Sequence, residues 1–200
     1  TYKGEPYRYV VLRRTLLYPQ KTGRLKIEPL TLDISVQVPS NRRDFFGNLI
    51  SSSVNKTVSA GSSFIDVKPL PIDNKPNDFS GAVGDFNFEI KSDKKSLLID
   101  EAFQLSLIIS GNGNFNLFED PKIYLPSSLE VYEPEKISNV SVRAGGIRGK
   151  VSNKFTIVPN MPGKYTIPQT KFSFFNPKVE EYITIYSDPI YIDAVSYTHL

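Results

Sequence analysis

The chain has 200 residues, of which 40% are hydrophobic and 22% are charged, and it contains no cysteine, no tryptophan and one histidine. This composition is typical of a globular protein of one or two domains, and the lack of cysteine excludes disulfides, thiolate metal sites and cysteine nucleophiles. A net charge of +3 is too small for a protein that binds nucleic acid mainly through phosphate contacts.

Alternating hydrophobicity first becomes clear at residues 30–38, where Leu30, Leu32, Ile34, Val36 and Val38 are separated by polar residues. This alternation predicts an antiparallel strand with one buried and one solvated face. The same pattern recurs at 86–90, 103–109, 172–174 and 183–185, and we find no segment with a helical period. The sequence therefore predicts an all-β fold.

A long polar segment follows, from about Pro39 to Ser63. Its richness in Ser, Asn and Thr predicts a mobile loop. The loop contains two adjacent aromatic residues, Phe45 and Phe46, next to Arg42 and Arg43. Such aromatics either pack back on the sandwich, which we favour slightly, or stay exposed for a partner. The four residues are our first candidate partner-binding surface.

Residues 72–78 are rich in proline and polar side chains and predict a short, semi-rigid linker. Asp73, Asn74, Asn77 and Asp78 within it suggest an interdomain calcium site, since carboxylates and carbonyls are ligands of this cation. Lys75 stands among them, and the flanking loops lack matching acidic clusters. We favour a solvated hinge, and we expect no metal and no cofactor.

The second half of the chain contains a glycine-rich segment, Ser110-Gly111-Asn112-Gly113-Asn114. It is too short for a dinucleotide-binding fingerprint and is followed by no helix, so we interpret it as a tight turn. Its polar residues and the next aromatic form our second candidate surface, comprising Asn112, Asn114 and Phe115.

An internal repeat organises the chain. Residues 18–27 and 158–167 share the pattern P-x-x-x-G-[RK]-[LY]-x-I at an offset of 140 residues, which predicts two copies of a strand–turn–strand unit. About 80 residues of the second domain precede its copy, whereas only 18 precede the first. We therefore expect two sandwiches in tandem, the first lacking its N-terminal half. The expected division is 1–71, a linker at 72–78, a second sandwich at 79–195 and a tail at 196–200.

Catalysis has little support in the sequence. The single histidine, His199, lies in a tail that resembles translated adapter sequence, and no motif of a hydrolase, kinase or P-loop protein is present. The carboxylate pairs Glu133/Glu135 and Glu180/Glu181 suggest a glycosidase-like site, but their polar surroundings favour a solvated surface. We also see no signal peptide and no membrane-spanning segment.

Several short motifs, taken together and in order, resemble the BatD family of aerotolerance-related bacterial proteins. They are Leu17–Gly23, Ile27–Leu30, Val67–Pro71, Phe79–Gly84 and Gly111–Asn114. The resemblance extends over residues 7 to about 194. It implies tandem immunoglobulin-like sandwiches on the periplasmic side of the inner membrane, with a signal peptide before them and a membrane helix after them in the complete protein.

The resemblance also implies partners, because BatD-like proteins are encoded with von Willebrand factor A-domain proteins, a MoxR-type ATPase and TPR-containing proteins. It supplies no catalytic residues. We therefore expect a non-catalytic envelope scaffold that acts through protein–protein contacts. The alternative is a carbohydrate-binding or adhesive module that uses Tyr182 and Tyr186, which share one side of a strand.

Overall fold

A computed structural model describes residues 3–11, 15–143 and 145–196. Within these ranges the chain forms fourteen β-strands and no helix, which confirms the all-β prediction. The contacts divide it into two compact units, one comprising Tyr18–Leu70 and the other Thr1–Leu17 with Pro71–Leu200. The domain boundaries drawn from the sequence stay a prediction. The predicted tail falls mostly outside the described residues, as does His199.

The Tyr18–Leu70 unit contains four strands in two antiparallel pairs. Strand β1 (Gly23–Ile27) pairs with β4 (Ser63–Val67), and β2 (Thr31–Arg43) pairs with β3 (Leu49–Ser59). Every residue of this unit is at least partly exposed. The prediction of a mobile loop at 39–63 is wrong, because most of this segment lies in β2 and β3.

Cross-strand polar pairs explain why this Ser/Thr/Asn-rich segment is extended. Hydrogen bonds join Thr31 to Ser59 (3.0 Å), Gln37 to Ser53 (2.7 Å) and Thr57 to Asp33 (2.5 Å), all on one face of the hairpin. Such pairs stabilise neighbouring strands without an aliphatic run. Composition alone predicted a loop because these partners lie 16 to 28 residues away in the chain.

The larger unit holds the other ten strands, as follows: β5 (Gly84–Ser92), β6 (Ser96–Leu98), β7 (Phe103–Gly113), β8 (Leu129–Val131), β9 (Glu135–Arg143), β10 (Gly146–Pro159), β11 (Gly163–Ile167), β12 (Lys171–Asn176), β13 (Glu181–Tyr186) and β14 (Ile190–Val195). One sheet has the order β5-β7-β10-β8, with β9 also paired to β10. The other strands form β11-β14-β6 and the pair β12-β13. This is the arrangement of an immunoglobulin-like sandwich.

Aromatic side chains form the centre of this sandwich. The Phe86 ring of β5 meets the rings of Phe115, Phe118, Phe172 and Phe174, with centroids 5.3 to 5.8 Å apart. All of these except Phe118 are buried. Edge-to-face contacts of this kind stabilise a core beyond the area that they bury. The high phenylalanine content of the chain therefore serves packing in this unit.

A tyrosine corner is present at the start of β11. The Tyr165 hydroxyl donates to the backbone carbonyl of Met161, four residues upstream, at 2.6 Å, and the ring is buried. A tyrosine that bonds back to upstream backbone in this way is a hallmark of immunoglobulin-like sandwiches. In the first repeat Leu25 occupies this position, so that copy lacks the hydroxyl.

The glycine-rich segment at 110–114 is not the tight turn that we predicted, because β7 continues to Gly113. A Cβ on Gly111 would overlap the backbone carbonyl oxygen of Asp85, and Gly111 has a φ of +145°. The glycines therefore allow β5 to approach β7 closely. The sequence correctly indicated a backbone conformation that favours glycine here. This conformation occurs within a strand, however, and not in a tight turn.

Candidate functional site

The tip of the β2–β3 hairpin is a closed, hydrogen-bonded turn. The backbone N–H of Asp44 donates to the carbonyl of Asn48 at 2.9 Å, and the N–H of Gly47 donates to the carbonyl of Asp44 at 3.0 Å. Gly47 has a φ of +84°, a conformation that side chains disfavour and glycine tolerates. The turn is thus defined by its own backbone contacts.

The Asp44 carboxylate organises the same turn. Its Oδ1 accepts hydrogen bonds from the backbone N–H groups of Phe46 (2.9 Å) and Asn48 (2.8 Å), and its Oδ2 accepts one from the Asn48 side chain (3.1 Å). The bonds from the backbone and the side-chain amide of Asn48 stabilise the charged form and lower the pKa of Asp44 below its usual value. An Asx turn of this type fixes the direction of the residues between its donors.

Phe45 and Phe46 project from this turn into solvent. Their side chains are 99% and 85% exposed, and the two rings meet edge to face with centroids 5.7 Å apart. Packing back on the sandwich, the interpretation that we slightly favoured, is therefore wrong for both residues. The structure leaves the second interpretation, an aromatic pair presented outward.

Two arginines flank the aromatic pair. Arg43 donates from its guanidinium to the carbonyl of Gly47 at 2.6 Å, which ties it to the turn. Arg42 is exposed, and its backbone N–H donates to the Ser40 hydroxyl at 3.2 Å. The hairpin tip, defined here as residues 42–48, combines two exposed rings with cationic side chains.

The second candidate surface is largely internal. The Asn114 side chain accepts from the N–H of Val83 at 2.7 Å and donates to the carbonyl of Gly81 at 2.9 Å, and it is buried. Phe115 is also buried, under Phe86. Both side chains lie inside the larger unit and are not presented at its surface. Only Asn112 of this set is partly exposed, and its amide donates to the carbonyl of Gly145 at 3.3 Å.

Residues 72–78, the predicted linker, belong to the larger unit, and their last residue is tied to β12. Asp78 pairs with Lys171 at 3.2 Å and accepts from the Ser173 hydroxyl at 3.2 Å. Burial acts to raise the pKa of Asp78, but the bonds from Lys171 and Ser173 outweigh it and lower the pKa. No group of three or more potential metal-ligating residues occurs in the described ranges.

The two tyrosines of the carbohydrate hypothesis have different environments. Tyr182 donates to the Pro71 carbonyl at 2.8 Å and packs on Phe79 and Phe175, and partial burial raises its pKa. It is therefore not a free stacking platform. Tyr186 is exposed and lines a cleft of about 480 Å³ together with Tyr124, Thr170 and Lys171.

The four carboxylates of the hydrolase hypothesis are all exposed. Glu135 begins the outer strand β9, and Glu180 and Glu181 lie at the β12–β13 turn. Among the residues that the structure describes, neither pair lines the cleft just described.

A comparison with models of protein families identifies a match for this chain. The model of the BatD DUF11-like domain matches residues 90–194, which is more than half of the chain. The chain belongs to the BatD family. The matched region runs from β5 to β14 and so covers most of the immunoglobulin-like sandwich. Searches of curated proteins and of solved structures give no match.

Membership confirms the family resemblance seen in the sequence. It places the chain among aerotolerance-related envelope proteins, and the BatD family is not known as enzymatic. In the part of the chain that the structure describes, no helix has the length and apolar character needed to span a bilayer.

Proposed function

We propose that this BatD-family chain is a non-catalytic scaffold module on the periplasmic face of the inner membrane. In this proposal the hairpin tip binds a partner protein within a membrane complex related to aerotolerance or stress. The observation that carries it is the pair Phe45 and Phe46, whose side chains are 99% and 85% exposed on a turn that the Asp44 carboxylate holds in place.

The geometry suits a binding hot spot. Phenylalanine and arginine are both enriched at the centres of protein–protein interfaces, and arginine is also enriched among the residues that dominate binding energy. Removing each ring from water contributes about 1.5–3 kcal/mol. Because the Asp44 hydrogen bonds fix the turn before binding, less conformational entropy is lost on association.

The side chains of the hairpin tip also indicate which kind of partner surface would bind it. Two rings with Arg42 alongside fit an apolar pocket with an acidic rim, because the arginines favour carboxylates at the edge of the contact. By family resemblance, the first proteins to test are von Willebrand factor A-domain and TPR-containing envelope proteins.

Co-purification tests this proposal directly. The variant Phe45→Ser with Phe46→Ser is expected to lose recovery of such a partner while the chain stays folded, because both side chains are almost entirely exposed. The matched control is Ile72→Ser, which removes an equally exposed apolar side chain outside the tip. Unchanged partner recovery by the double variant would remove the tip as the binding site.

One observation favours the alternative of carbohydrate binding. Tyr124 and Tyr186 are exposed on the lining of the 480 Å³ cleft, and Asp78, Thr170 and Lys171 supply polar groups there. Sugar binding on a glycan array that Tyr186→Ala abolishes would support this function. Binding that persists in the variant would exclude the cleft.

A further inference from the structure

The β2–β3 hairpin has one satisfied face and one unpartnered face. The polar face is joined across the strands by the Thr31, Asp33 and Gln37 hydrogen bonds described above. The opposite face, called the inner face here, is mostly aliphatic and is partly exposed throughout. Its aliphatic residues are Leu32, Ile34, Val36, Val38, Val54 and Val58, and its polar residues are Ser52 and Lys56.

The second repeat shows what covers the equivalent face. Gly23 pairs with Val67 as Gly163 pairs with Ala194, and Thr31 pairs with Ser59 as Lys171 pairs with Tyr186. Strands β1, β2, β3 and β4 thus correspond to β11, β12, β13 and β14. The repeat found in the sequence is also a repeat of pairing and register.

Equivalent positions differ sharply in burial. Phe174 is 2% exposed and its counterpart Ile34 is 37% exposed, whereas Ile192 is 1% exposed and its counterpart Ile65 is 43% exposed. Phe172 and Phe174 are covered by the Phe86 ring of β5, and Phe172 also meets Phe88. The covering layer of the second repeat is therefore the sheet that begins with β5.

The edges of the two repeats also differ, and this difference supports the same conclusion. In the second repeat the outer edge of β14 pairs with the short parallel strand β6. Among the described residues, no strand pairs with the corresponding edge of β4. Face and edge are both occupied, in the second repeat, by polypeptide that precedes the repeated strands.

We propose that the inner face of β2–β3 and the outer edge of β4 bind a β-sheet supplied by polypeptide preceding Thr1 in the intact protein. This sheet repeats the layout of β5 to β10 and closes a sandwich on the first repeat. The described residues before β1, 3–11 and 15–22, contain no strand that supplies it.

The inner face also carries a charged residue, because Ile34 pairs with Lys56. The counterpart of Lys56 is Ile183, which stays half-buried in the covered repeat. Lys56 therefore lies at the margin of the covered face, where its aliphatic stem packs while its ammonium group reaches water.

Thiol labelling tests the proposal in a chain without native cysteine. Val36→Cys reports the inner face. Thr31→Cys, on the polar face of the same strand, is its control, because its counterpart Lys171 stays exposed in the covered repeat. In the 200-residue chain both cysteines are expected to react at similar rates. In the protein extended to its natural N-terminus, Val36→Cys is expected to react about 100-fold more slowly, as for an amide or thiol reached only by local opening, while Thr31→Cys is unchanged.

Each other result overturns the proposal. Equal labelling of both cysteines in the extended protein shows an uncovered face. Protection of Val36→Cys in the 200-residue chain that increases with protein concentration shows that a second copy covers it. The pair Ile65→Cys and Phe64→Cys on β4 repeats the test if either β2 variant fails to fold, because their counterparts Ile192 and Tyr191 are 1% and 65% exposed.

Discussion

Ala60 donates its backbone N–H to the carbonyl of Leu30 at 2.9 Å, and Ser187 makes the equivalent bond to Thr170 at the same distance. These bonds lie where β1 passes into β2 and where β11 passes into β12. Each repeat is therefore one long hairpin, interrupted near a proline that cannot donate to the ladder. The first hairpin is longer, since β2 has 13 residues and β12 has 6, and its extension carries Phe45 and Phe46.

Equivalent core positions should differ in their contribution to stability. In the 200-residue chain, Phe172→Ala is expected to lower the free energy of unfolding of the larger unit by about 3–5 kcal/mol, because the ring is buried among Phe86, Phe88 and Phe174. Leu32→Ala should cost the smaller unit about 1 kcal/mol or less. Hydrogen exchange read separately for each unit measures both. Phe172→Leu provides a milder variant, and equal costs at the two positions would contradict the expected difference.

The close approach of β5 and β7 should require glycine at position 111. Gly111→Ala is expected to destabilise the sandwich by about 1–3 kcal/mol, because the new methyl group meets the Asp85 carbonyl and the backbone has positive φ. Gly145→Ala, with nothing within 4 Å of its Cβ, should change stability by about 0.5 kcal/mol or less. Urea unfolding of the two variants decides between this account and an interchangeable glycine.

The structure of the hairpin tip should depend on pH through the ionisation of the Asp44 carboxylate. Because the folded pKa of Asp44 is lowered, its stabilising bonds are fully present above the ordinary value of about 3.9. They are lost as the pH falls through the lower, folded pKa. The amide resonances of Phe46 and Asn48 should titrate together with this midpoint, and Asp44→Asn should abolish the transition. A midpoint above the ordinary value would refute the assigned hydrogen bonds.

The tyrosine corner should contribute a measurable but modest free energy. Tyr165→Phe removes the bond to the Met161 carbonyl and is expected to cost about 0.5–1.5 kcal/mol. Tyr191→Phe, at a well exposed position, serves as the control and should be within about 0.5 kcal/mol of the parent. Thermal unfolding of both variants gives the comparison, and identical midpoints would show that the corner bond is not stabilising.

Periodicity predicted several strands correctly because burial on one face leaves a signal within a few residues. The alternation at Phe86, Phe88 and Ile90 became β5, and that at Phe103, Leu105 and Leu107 became β7, with those side chains buried. The polar strand β3 escaped prediction. Its stabilising partners are hydroxyl and amide groups on another strand, and only pairing reveals them.

The composition of the sequence was enough to identify Phe45 and Phe46 as candidate site residues. Whether these side chains are exposed was decided by the turn at the hairpin tip. Adjacent phenylalanines in a polar segment indicated something unusual, but exposure depends on where the turn directs them. The set at Asn112, Asn114 and Phe115 had similar chemistry, and tertiary packing placed two of its members inside.

By itself, the sequence determined the all-β class, the duplicated strand–turn–strand unit and the absence of thiol chemistry. These follow from residue identity and local spacing, which every conformation of the chain shares. Only the tertiary structure decided that the duplicated hairpins share one register, that one is covered and the other is bare, and that two rings stand in solvent. Register, coverage and exposure depend on contacts between residues far apart in the chain, and those contacts exist only after folding.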